Sequence, residues 1–102
     1  MPSASRGAEY PANYLVTYDL RKPGQNYDEL INAIKSYKNV KVTESCWLVR
    51  STNKAETIRD SLTKHMDAND RIYVTPVARG AAWKNTLTDG DTIIKFLDGK
   101  MD

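Results

Sequence analysis

The chain has one cysteine, one histidine and one phenylalanine among its 102 residues. A lone cysteine excludes an intramolecular disulfide and points to a reducing, cytoplasmic setting. Cys46 lies inside an apolar run and reads as a buried thiol packing as a small hydrophobe. One histidine leaves no zinc-spaced Cys/His set. There is no phosphate-cradling glycine motif and no nucleophile elbow. No apolar run approaches the roughly 20 residues of a membrane helix, so no membrane partner is expected. Met1 to Ala8 lack the apolar centre of a secretory signal. Neither charge sign dominates: 15 Lys and Arg face 13 Asp and Glu, a net charge of +2. That excess is too small to indicate a nucleic-acid partner, and only local clustering of cations would do so.

What is present is enough apolar residue, 40% of the chain, for one modest core. Residues 1–12 are small and carry two prolines, so a flexible arm or an appended remnant is expected there. Tyr14 to Leu20 alternate as a strand that ends at Pro23-Gly24. Tyr27, Leu30, Ile31, Ile34 and Tyr37 recur at helical spacing over 27–37. Asn26 is the expected N-cap, with Glu29 as a capping-box partner. Val40–Thr43 and Cys46–Arg50 read as two strands joined tightly through Glu44-Ser45. Asn53 is the expected cap of a second helix over 54–66, whose stripe is Ala55, Ile58, Leu62 and Met66. Ile72–Val77 is a fourth strand, and Pro76 confines it to a sheet edge because proline cannot donate to a ladder.

The order β-α-β-β-α-β predicts an α+β, ferredoxin-like sandwich over 13–79, with an antiparallel four-stranded sheet and both helices on one face. Leu15, Tyr73 and Val77 fall on the other face and call for cover. The tail, 80–102, carries Trp83, Leu87, Ile93, Ile94, Phe96 and Leu97. It is expected to form a short helix over 90–97 that docks on the domain or on a second subunit. Together these features predict a homodimer built on the sheet face opposite the helices.

Chemistry is expected at the end of the first strand. Asp19 is either a turn-starting aspartate or a hard oxygen ligand for magnesium or manganese. Arg21 and Lys22 follow it at once. With the first and third strands taken as parallel neighbours, Arg50, Ser51 and Thr52 come to the same edge, as do both helix N-termini. Asp19 would then hold a metal while Arg21, Lys22 and Arg50 hold phosphate. His65 reads as a helix-end surface residue. Asp67-Ala-Asn-Asp70 reads as a turn, since the glycine and glutamate of a calcium loop are missing. Asp89-Gly-Asp91 reads as a turn and helix cap. Trp47 and Trp83 read as core or interface anchors.

Tyr14-Leu-Val-Thr-Tyr-Asp19-Leu and Ser45-Cys-Trp47, with the element order over residues 13–79, resemble the small CRISPR-associated proteins of the Cas-two type. They resemble especially the related SinR-like group. The resemblance implies a ferredoxin-like homodimer with facing sheets, and Asp19 as the metal position of a proposed magnesium-dependent endonuclease that hydrolyses phosphodiester bonds. It also implies the alternatives of a non-catalytic scaffold or toxin/regulator-type protein that binds nucleic acid or an integrase-type protein partner. The tail after Gly80 departs from the short final strand of the integration-complex members.

Overall fold

A computed structural model describes residues 11–21 and 27–99. The chain is a small α+β protein: β1 (Ala12–Asp19), α1 (Asp28–Lys35), β2 (Lys38–Thr43), β3 (Cys46–Ser51), α2 (Ala55–Thr63), β4 (Arg71–Pro76) and α3 (Gly90–Leu97). The strands form one antiparallel sheet in the order β2-β3-β1-β4. Ala12 already belongs to β1, so the expected arm keeps Pro11 alone among the described residues; residues 1–10 lie outside them.

The alternation of β1 decides its two neighbourhoods. Tyr14, Val16 and Tyr18 point to the face covered by α1 and α2, where they join Trp47, Val49, Leu30, Ile34, Ile58 and Leu62 in the main core. Leu30, Ile34, Ile58 and Leu62 are fully buried, as their helical spacing requires. Polar tips are satisfied at the rim of this core. The Trp47 indole N–H donates to the Tyr18 hydroxyl at 3.0 Å, and the Tyr14 hydroxyl donates to the Asn53 carbonyl at 2.7 Å. Burial raises the pKa of both tyrosines, which keeps their hydroxyls neutral.

The residues just before α1 and α2, Tyr27 and Lys54, make no side-chain cap. Asn26 lies outside the described residues, α1 starts after Tyr27 without a side-chain cap, and Glu29 instead lies 3.5 Å from His65 Nδ1, just past α2. Asn53 does not cap α2, which starts after Lys54. Its N–H donates to Ser51 Oγ at 2.9 Å and its carbonyl takes the Tyr14 hydroxyl, so a tight turn uses the residue first.

The opposite face carries a second, smaller core of Val40, Leu48, Ile93, Phe96 and Leu97, with Leu15, Val42 and Val77 packed against it. The tail therefore docks on its own sheet. Residues 77–89 run from β4 to the outer edge of β2, where Leu87 N–H donates to Val42 O at 2.9 Å and Thr88 Oγ1 to Lys41 O at 2.7 Å. Asp89 caps α3 by accepting from Thr92 N–H and Thr92 Oγ1. Gly99, at φ 75°, ends it in the left-handed conformation that glycine tolerates. Part of the face expected to meet a second subunit is thus occupied within the chain.

Candidate functional site

One expectation about the site is overturned by the direction of β3. β1 and β2 run parallel because a helical crossover joins them, and β3 fills the gap between them. The two-residue link Glu44-Ser45 reverses β3 relative to β2, so β3 is antiparallel to β1. The register pairs Thr17 with Cys46 and Asn13 with Arg50. Arg50 therefore lies six residues along β1 from Asp19, roughly 20 Å away at the rise of an extended strand. Ser51 and the start of α2 go with it. α1 starts from the Asp19 end and α2 from the Asn13 end, so the two helix N-termini do not share an anion site.

Arg50 has a different task from the phosphate contact expected of it. Its Nε donates to Asn13 Oδ1 at 3.1 Å, its Nη2 donates to the Phe96 carbonyl, and its guanidinium lies 4.5 Å from the centre of the Phe96 ring. Asn13 Nδ2 donates to Leu97 O at 3.3 Å. Asn13 thus bonds the Leu97 carbonyl, Arg50 adds a charged donor to the Phe96 carbonyl that Gly99 N–H already reaches at 3.0 Å, and a cation stands at the negative pole of the helix. A rule that looks for cations within a helix's own last turn misses this partner, which comes from another strand.

Asp19 is the last residue of β1, directly opposite Arg71 of β4. Arg71 Nη1 donates to Asp19 Oδ2 at 2.9 Å. Both side chains remain well exposed, Asp19 by 60% and Arg71 by 67%. They line a shallow hollow of about 200 Å³ with Thr17 and Tyr73. The sheet face here lies beyond the residues that α3 packs against. Arg21 leaves the strand two residues later, and its N–H donates to Asp70 Oδ1 at 2.7 Å. The Tyr27 hydroxyl reaches the same oxygen at 3.2 Å, and Asp67 N–H donates to Asp70 Oδ2 at 2.8 Å. Asp70 thus fastens the loop after β1 to the turn before β4. The turn expected at Asp67–Asp70 is there, closed by Asp70 N–H to Asp67 O at 3.1 Å. Arg21 and Arg71 are consequently held on one end of the sheet, while Lys22 lies outside the described residues.

The donor set for a metal is thin. Among the described residues no group of three or more His, Cys, Asp or Glu comes together in a way that could hold a metal ion. Asp19 offers one carboxylate, and a guanidinium already engages it. One copy of the chain, over its described residues, brings no group of three such ligands to magnesium or manganese at this end of the sheet. Cys46 adds no nucleophile: burial pushes its thiol pKa up, which disfavours the thiolate. No helix of the described residues is long and apolar enough to cross a membrane.

A second feature has no sequence signal. Between the sheet, α3 and the tail lies an apolar cavity of about 330 Å³, lined by Leu15, Leu48, Val77, Trp83 and Ile93 among others. Trp83 packs against Gly90, where an added Cβ would come within 3.0 Å of the indole nitrogen. Trp83 and Gly90 are far enough apart in sequence that no local pattern links them.

No protein-family model matches the chain.

Proposed function

We propose that this chain is a ferredoxin-like, homodimeric nucleic-acid-binding protein of the Cas-two or SinR-like kind, and that it binds without cleaving. The observation that carries the reading is the exposed Asp19–Arg71 pair at 2.9 Å. An aspartate that holds an arginine, with no metal-binding group of acidic residues gathered beside it among the described residues, orients a guanidinium. It does not hold a cation. A guanidinium has five donors in a planar fork, so Arg71 keeps several for phosphate oxygens after bonding Asp19. Arg21 stands on the same end of the sheet, and Lys22 follows it in sequence. Arg50 has no part in this surface, because the end of α3 occupies it.

The second reading is a magnesium- or manganese-dependent endonuclease. Its support is the exposure of the Asp19 carboxylate, which leaves it open to an acidic residue of another copy. An integrase-type protein partner is the third alternative.

The test uses purified full-length protein with single- and double-stranded DNA and RNA, with magnesium, manganese and chelator. Binding without metal-dependent cleavage is expected. Arg71→Ala should weaken it several-fold and lower the salt slope by about one phosphate contact. Metal-dependent cleavage that Asp19→Asn abolishes would replace this reading with the nuclease. Absence of binding to all four substrates would overturn both.

A further inference from the structure

The two outer edges of the sheet are treated differently. β2 is sealed by the tail through the bonds to Val42 O and Lys41 O. β4 receives no such cover among the described residues. The direction of its free groups follows from one bond: Val77 N–H donates to Asn13 O at 3.0 Å. Backbone groups alternate along an antiparallel strand, so Arg71, Tyr73 and Thr75 bond β1. The N–H and C=O groups of Ile72 and Val74 therefore point outward. The nitrogen of Pro76 points outward too, where its missing hydrogen costs the sheet nothing. Tyr73, at the middle of this edge, is 62% exposed, the highest value among the exposed large hydrophobic residues.

We infer that the β4 edge is a pairing site for the β4 edge of a second copy, antiparallel about a twofold axis at Tyr73. This deepens the homodimer part of the reading above and rests on it. The register is chosen by Pro76. With Tyr73 opposite its own copy, Ile72 lies opposite Val74 of the second copy and exchanges both N–H···O bonds with it, and symmetry repeats the pair. Moving the axis to Val74 would set Ile72 opposite Pro76, which has no hydrogen to donate. The chosen register also brings the two exposed Tyr73 rings together in the close, non-hydrogen-bonded pair position. On the other face it sets Ile72 beside Val74 of the second copy, extending the main core across the junction.

Charge supports the same axis. Glu56 and Arg59 of α2 line a hollow at this edge together with Ile72, Tyr73 and Val74. A twofold at Tyr73 sets the two α2 helices antiparallel across the junction, with each Glu56 toward Arg59 of the other copy. Arg59 also bonds Asp60 at 2.9 Å, which leaves part of its guanidinium for a second carboxylate. Unpaired edges invite partners unless blunted by charge, bulge or cover. On β4 only the two ends, Arg71 and Pro76, carry such a device.

The experiment is sedimentation equilibrium of the full chain without nucleic acid. One strand edge with a helix flank lies at the small end of specific interfaces, below about 1,200 Å², so micromolar dimerisation is expected. Tyr73→Lys should raise the dissociation constant at least tenfold, by placing like charges at the axis. Val74→Pro should do the same by removing an outward donor that the monomer does not use. Glu56→Arg and Arg59→Glu should each weaken the dimer several-fold, and the double swap should restore it. If Val74→Pro fails to fold, Tyr73→Lys and the charge swap decide. A wild type that stays monomeric at all concentrations overturns both the homodimer and this interface. A dimer that survives Tyr73→Lys but is lost in Trp83→Ser or Ile94→Lys overturns the edge alone and moves the contact to the tail.

Discussion

The two faces of the sheet are covered by different means. On one face, α1 and α2 each connect two strands, and their apolar stripes meet Tyr14, Val16, Trp47 and Val49 in a continuous core. On the other, α3 arrives at the end of a long irregular segment and packs on one part of the sheet. It is held by its apolar side, a cap at Asp89, the Arg79–Asp98 pair at 2.7 Å and the Arg50–Asn13 clamp. The first layer follows from chain connectivity, and removing it removes the fold. The second is an addition whose attachment depends on a few side chains. The difference separates two kinds of stability, global for the first layer and local for the second.

The sharpest way to break the comparison is a truncation in the main core. Leu62→Ala deletes a fully buried side chain and should cost about 2–5 kcal/mol, read as a lower urea midpoint for the whole domain. Exchange protection should fall throughout the sheet. A loss confined to α2 would show that the first layer is no more cooperative than the second.

Arg50→Ala should cost less, about 1–3 kcal/mol, the loss of one charge-assisted hydrogen bond and of the cation that faces the end of α3. Hydrogen exchange monitored by mass spectrometry should rise over 90–97 while 55–63 stays protected. Equal loss in both segments would mean that α3 and the main core unfold together.

The smallest effect is the acid response of the α3 cap. The Thr92 side-chain hydroxyl and N–H hold the Asp89 carboxyl pKa below the ordinary aspartate range. A depressed folded-state pKa contributes stability above the unfolded value and loses it as pH falls through the folded value. The gap in thermal midpoint between wild type and Asp89→Ala should therefore be full above about pH 5 and close toward pH 2. A gap that stays constant over that range would show that the carboxylate charge is not what caps the helix.

Much of the first layer was legible because its residues obey two short periods. Alternation in Tyr14–Tyr18 and the helical spacing of Leu30, Ile34, Ile58 and Leu62 locate the strands, the helices and their inward faces. Pro76 placed β4 at an edge from chemistry alone. The span of α3, 90–97, was also readable, since Asp89 is a strong cap and the helix is apolar. The cap of α2 was misread because a polar residue near a helix start has several competing partners, and Asn53 serves a turn and the Tyr14 hydroxyl instead. The site was half legible. Asp19 and Arg21 are on the end expected of them, but Arg71, the actual partner of Asp19, comes from a strand 52 residues away.

By itself the sequence determined which residues turn inward, where the elements begin and end within a few positions, and which strand lies at an edge. Those properties depend on backbone period and on the chemistry of single residues. The tertiary structure alone decided what meets what. Arg50 serves α3 and Arg71 pairs with Asp19 because strand direction and register fix distances between residues far apart in sequence. A reversal at one two-residue link moved Arg50 to the opposite end of the sheet, and with it the chemistry that its charge was expected to serve.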